Sequence, residues 1–82
     1  MRPEYIHESV LKAEARFLQD LEEGISVLEA VNEQDGFTLA QFRGFSLLLP
    51  PELKQRLSGS VGHRVGILRI DGAYKIRVDH GR

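Results

Sequence analysis

Apolar residues recur at three- and four-residue steps along the first quarter of the chain: Ile6, Val10, Ala13, Phe17 and Leu21, broadened by Leu11 and Leu18. That period lays one stripe along a helix, so the pattern predicts an amphipathic helix over 4–23 with its stripe turned to a core. Pro3 suits an early helical position, where its missing N–H costs nothing. Glu4 and Glu8 suit the positive end of the helix dipole, and Glu8 stands four residues before Lys12 in the favourable order. Gly24 fits the left-handed residue just past a helix end. The acids Asp20, Glu22 and Glu23 run against the dipole at that end, so a nearby basic surface is expected to offset them.

After Gly24 the period shortens. Ile25, Val27 and Val31 alternate with Ser26, Leu28 and Ala30, which predicts a strand over 25–31. A helix running on to Asn32 is the rival, because Leu28-Glu29-Ala30 also favours helix. Asn32 to Gly36 reads as a turn, with Asp35-Gly36 its strongest signal. Extended segments follow over 37–42 and 45–49, with Gly44 expected at a bulge or bend, so strands fill 25–49. Pro50-Pro51 breaks the run and starts a short helix over 51–58, in which Leu53 and Leu57 share a face.

The last third carries the clearest β pattern, a hairpin over 64–78 turning on Asp71-Gly72. Asp-Gly suits a type I′ turn, where both central residues need positive φ. With that two-residue loop the register follows. Ile70 opposes Ala73, Arg69 opposes Tyr74, Ile67 opposes Ile76, and Val65 opposes Val78. These pairs form an apolar face with Arg69 and Tyr74 at its rim. Leu68 against Lys75 and Gly66 against Arg77 form the polar, basic face.

Helix, strands, short helix and hairpin in that order define an α+β domain. The expected architecture is an N-terminal amphipathic helix packed on a small antiparallel sheet, or on a partly open barrel of four to five strands. The 82 residues make one domain, since no linker or repeat divides them and a chain of this length supports a single core.

Composition narrows the chemistry. The chain has no cysteine, which removes disulfides and thiolate metal sites and makes the cytoplasm the expected location. No apolar run approaches the ~20 residues that span a bilayer, so no membrane association is expected. The net charge of −1 conceals an asymmetry. Residues 1–35 carry nine acids and three bases, a charge of −6, and residues 36–82 carry eight bases and three acids, a charge of +5. Asymmetry of this kind bears on partners and not on fold.

Catalytic groupings are weak throughout. His7, His63 and His80 show no ligand or base spacing, and the serines lie in no strand–turn–helix nucleophile context. The stretch Ser58-Gly59-Ser60-Val61-Gly62 is glycine-rich but lacks the lysine and spacing of a phosphate loop. No enzyme activity, cofactor or metal is therefore expected.

Two surfaces remain as candidates. Arg43, Arg64, Arg69, Tyr74, Lys75 and Arg77 make a basic set with an aromatic among them, and Asp20, Glu22 and Glu23 make an acidic one. The first expectation is a small protein-interaction module that self-associates as a homodimer or takes another protein, using complementary charge to set register. The second is a small β-barrel that binds single-stranded nucleic acid through the basic hairpin, charge following the phosphates and rings stacking on bases. The slight negative charge and the scarcity of aromatics count against the second.

Overall fold

The structure is a computed structural model that describes residues 15–79. Five strands form one antiparallel sheet: β1 (Glu23–Gln34), β2 (Phe37–Phe42), β3 (Phe45–Leu49), β4 (Arg64–Ile70) and β5 (Ala73–Asp79). Their order across the sheet is β3-β2-β1-β4-β5, and it does not close into a barrel. Between β3 and β4 a 3₁₀ turn (Pro51–Leu53) runs into the short helix α1 (Lys54–Ser58).

The sheet folds about the middle of β1. Residues 23–27 pair with β4, residues 28–34 pair with β2, and the register shifts between Leu28 and Ala30. A bulge bends a strand and increases its twist, which lets one long strand serve two half-sheets. Leu28 lies at the bend and is fully buried; its N–H donates to the His63 carbonyl, and its own carbonyl accepts from the Gly62 N–H. The core fills the fold with Leu28, Ala40, Phe42, Leu47, Leu49, Val65 and Ile67, and Leu57 of α1 packs into it.

Three hairpins shape the sheet. Gln34 pairs with Phe37 around Asp35-Gly36, and Ile70 pairs with Ala73 around Asp71-Gly72. In both loops both residues have positive φ, as a type I′ turn requires. The β4–β5 register matches the one expected from sequence at every pair and extends to Arg64–Asp79. Gly44 is the turn residue of the β2–β3 hairpin rather than a bulge, at φ +100° between Phe42 and Phe45, whose rings stack 4.9 Å apart.

The expected helix over 4–23 needs correction where the structure describes it. Its first part lies outside the described residues. Residues 15–22 are not helical; they form an extended segment and a turn, and β1 begins at Glu23. Arg16 makes a parallel bridge to Leu47, and its backbone exchanges hydrogen bonds with Ser46 and Leu48. The segment then crosses to β4, where the Leu21 N–H donates to the Arg69 carbonyl and the Arg69 N–H donates to that of Glu22. Only Leu18 of this segment enters the core, at 1% exposure, whereas Leu21 is 74% exposed. The backbone bonds available along β3 and β4 outweigh a local helical period whose stripe would serve only one side of the chain. Gly24 is accordingly a strand residue and not a helix cap; a side chain there would press on the Phe45 ring, 3.2 Å from a built Cβ. The strand expected over 25–31 is right in kind; it begins two residues earlier and runs three residues further, so Asn32, Glu33 and Gln34 are strand and not turn.

Candidate functional site

The hairpin sorts the basic residues by alternation. Val65 and Ile67 of β4 are buried in the core, and Tyr74, Ile76 and Val78 of β5 pack against it. Arg64, Gly66 and Leu68 therefore face outward, as do Lys75, Arg77 and Asp79. On the neighbouring strand Glu23 pairs with Leu68, Ile25 with Gly66, and Val27 with Arg64. Nine positions from three strands thus share one outer face, with Gly66 at its centre.

Gly66 makes that face concave. A groove of ≈ 390 Å³ runs over it, lined by Ile25, Arg64, Arg77, Val78 and Asp79. A second hollow of ≈ 320 Å³ shares Gly66 and Arg77 and reaches Leu68 and Lys75. A Cβ at Gly66 would stand 3.2 Å from Ile25 Cγ1 and 3.4 Å from the Glu23 carboxylate, so both neighbours lean over the vacant position. Ile25 is 41% exposed on the groove wall. The surface combines cations with apolar area.

Three of the six expected basic-surface residues converge here: Arg64, Lys75 and Arg77. Arg77 pairs with Glu23 at 3.5 Å. Arg69 and Tyr74 lie on the opposite face. The Arg69 guanidinium sits 5.8 Å from the centre of the Tyr74 ring and donates to the Leu18 carbonyl at 2.7 Å, so both residues hold the fold together and neither is presented outward. Arg43 lies in the β2–β3 turn. Its side chain meets Glu29 at 3.3 Å and its N–H donates to the Val27 carbonyl, placing it across Val27 from Arg64 and away from the groove.

The three expected acidic partners are each engaged within the chain. Asp20 accepts a hydrogen bond from the Gly72 N–H at 3.2 Å, securing the tip of the β4–β5 hairpin. Glu22 accepts from Nη1 and Nη2 of Arg16, at 3.1 Å for the longer bond, and from the Gln19 N–H at 2.8 Å. The hydrogen bond from Arg16, then that from Gln19, hold the Glu22 carboxyl down at about 2, and the same pairing raises the Arg16 guanidinium. Glu23 turns to Arg77. Basic partners are thus present for Glu22 and Glu23, but at a strand start and a crossing segment instead of a helix end.

The two edges of the sheet differ. The outer edge of β3 is covered by Arg16, whereas among the described residues no strand lies beyond β5. In a two-residue hairpin the residues flanking the loop form a hydrogen-bonded pair, and bonded and non-bonded pairs then alternate. Ala73, Lys75, Arg77 and Asp79 therefore bond to β4, and Tyr74, Ile76 and Val78 direct their N–H and C=O groups to the open edge. The strand sequence contained this information in its period and loop length, but edge status depends on which strands pair, which the sequence pattern leaves open.

Among the described residues no group of three or more histidines and acids is placed to hold a metal ion, and no helix is long and apolar enough to cross a membrane. No family model, curated protein or solved structure matches the chain.

Proposed function

We propose that the protein is a non-enzymatic protein-interaction module that receives an extended partner segment along β5. The observation that carries this reading is the contrast between its edges: β3 is covered by the chain's own Arg16, and among the described residues β5 ends the sheet with three residues directing backbone groups outward. An uncovered edge is a template for strand addition, in which main-chain bonds supply affinity and alternate side chains supply specificity. Lys75 and Arg77 on that strand repel an arbitrary cationic strand and favour an acidic one. The groove over Gly66 lies beside the edge and offers apolar walls to a side chain of the incoming segment.

Single-stranded nucleic-acid binding is the second reading. Arg64, Lys75 and Arg77 on one face favour it through phosphate attraction. The stacking it needs has no support on that face, since Tyr74 packs with Arg69 on the other side.

Nuclear magnetic resonance with two probes tests the choice. A peptide alternating glutamate and valine is expected to shift the amides of Tyr74, Ile76 and Val78 and to slow their exchange. An oligothymidylate is expected to leave those amides unchanged. If the oligonucleotide alone binds, with a steep salt slope through Arg64, Lys75 and Arg77, the interaction-module reading gives way to the nucleic-acid one. If neither probe binds and the protein does not self-associate, the reading is overturned.

A further inference from the structure

We infer that the segment received by β5 runs antiparallel to it and presents two acids, two residues apart, to Lys75 and Arg77, and that Glu23 of the chain's own β1 competes with the acid at Arg77. This rests on the reading of β5 as a receiving edge. It adds the partner's direction, the spacing of its charges and an internal competitor.

Direction and spacing follow from the ladder. Tyr74, Ile76 and Val78 offer their N–H and C=O groups to the open edge, so an added antiparallel strand bonds at these three. Its residues opposite Lys75 and Arg77 then occupy non-hydrogen-bonded positions, where side chains approach most closely. A parallel strand slants its bonds and pairs slightly less stably. The two residues opposite Lys75 and Arg77 lie about 7 Å apart along the strand and share the outer face with them. Lys75 makes no ion pair among the described residues, and the Arg77 side chain is 79% exposed, so both cations are open to a carboxylate. On the inner face Tyr74, Ile76 and Val78 are half-buried at the margin of the core. Apolar residues opposite them extend that core, so the partner alternates apolar and acidic positions.

Glu23 enters through the vacancy at Gly66. The outer face is a lattice of three cross-strand rows: Glu23, Leu68 and Lys75; Ile25, Gly66 and Arg77; Val27, Arg64 and Asp79. Glu23 shares a row with Lys75, yet its carboxylate lies 3.5 Å from the guanidinium of Arg77 in the next row. The diagonal passes over Gly66, where a Cβ would stand 3.4 Å from that carboxylate. The free chain thus holds an acid of its own at Arg77 from the β1 side, and the incoming strand brings another from the open side. An ion pair this exposed is weak and readily exchanged, and two carboxylates at one guanidinium repel each other. Glu23 therefore opposes the incoming acid whether it is displaced or stays.

Titrations of the full chain, followed by its amide resonances, test this. The probe is the peptide Thr-Val-Glu-Val-Glu-Val-Thr; its isomer Thr-Val-Glu-Glu-Val-Val-Thr has the same composition and turns one acid to each face. The probe is expected to bind several-fold more tightly than the isomer. A paramagnetic label at its N-terminus is expected to broaden the amide of Val78 more than that of Tyr74. Glu23→Gln is expected to tighten the probe by about two- to five-fold, the range of an exposed ion pair. Arg77→Gln is expected to weaken it and to abolish the effect of Glu23→Gln, while thermal melts of the variants stay close to the parent's. Equal binding of the isomer overturns the spacing, and broadening centred on Tyr74 overturns the direction. A Glu23→Gln chain that binds the probe no better than the parent overturns the competition. These failures leave the β5 amides shifted by peptide; if neither peptide shifts them, in the parent or in Glu23→Gln, strand addition itself fails.

Discussion

The Arg69 guanidinium donates to the carbonyl of Leu18 at 2.7 Å, joining residues 51 apart in sequence. The bond fastens the segment that crosses from β3 to β4 at Leu18, the one residue of that segment buried in the core. Arg69→Gln is expected to lower stability by about 1–3 kcal/mol, since it removes a charged donor from a carbonyl and a cation from the Tyr74 ring. Leu18→Ala is expected to cost about 2–5 kcal/mol through the cavity it leaves. Urea unfolding measures both; an unchanged midpoint in either variant would show that the crossing segment is not docked.

Leu21 gives a prediction opposite to the one its helical period suggests. On an apolar helix stripe, Leu21→Asp would introduce a buried charge and unfold the domain. In the structure Leu21 is exposed with φ at 69°, in a turn closed by the Glu22 N–H on the Gln19 carbonyl. Leu21→Asp is therefore expected to change stability by less than about 0.5 kcal/mol. Leu21→Gly relieves about 1–2 kcal/mol of left-handed strain against about 0.4–1 kcal/mol of added chain entropy in the unfolded state, so a small gain is expected. Thermal melts that show a large loss for Leu21→Asp would restore the helical reading.

Gly72 stands at φ 78° in the tip of the β4–β5 hairpin, and its N–H is held by Asp20. Gly72→Val forces a β-branched residue into that region at a cost of about 1–3 kcal/mol. Gly36 occupies the equivalent position at φ 85° in the β1–β2 hairpin, so Gly36→Val is expected to cost a similar amount. A Gly72→Val protein as stable as the parent would contradict the turn geometry and, with it, the alternation that points Ile76 to the open edge.

Glu22 makes the acid side of the stability curve informative. Its carboxyl is lowered from 4.5 to about 2 in the folded chain, chiefly by the hydrogen bond from Arg16. A group whose folded value is depressed contributes stability that is present above the unfolded value and lost as pH falls through the folded one. Glu22→Gln lacks that contribution at every pH. The parent is thus expected to exceed the variant by a constant margin at neutral pH, and the margin should shrink as pH drops from 4.5 to about 2. Paired urea titrations across that range would refute the Arg16 contact if the margin did not change.

The turns and the hairpin were legible in the chain itself. Asp35-Gly36 and Asp71-Gly72 are local signals, because a type I′ turn needs positive φ at two adjacent residues and that requirement is met or failed within four residues. Once the loop length is known, alternation dictates the β4–β5 register and separates Arg64, Lys75 and Arg77 from Val65, Ile67, Ile76 and Val78. The separation of Arg69 and Tyr74 from the outward-facing bases was also contained in that register, although proximity in sequence grouped all of them as one basic surface.

Residues 15–23 show where local pattern stops deciding. Phe17, Leu18 and Leu21 fit a helix period, yet the backbone groups offered by Ser46, Leu48 and Arg69 draw this segment into an extended path, and those partners lie tens of residues away. The same holds for the acids: Asp20, Glu22 and Glu23 look like one patch in sequence and serve three separate contacts in space. Gly66 reads as an ordinary strand residue until Ile25 and Glu23 of β1 are laid beside it, and then becomes the floor of a groove. The sequence by itself determined the β4–β5 hairpin, the two Asp-Gly turns and the face each hairpin side chain takes, because those follow from dihedral preference and a two-residue period. Only the tertiary structure decided which strand lies at the edge and which charges stay outward, because pairing between distant strands is settled by the backbone bonds and apolar area they bury together.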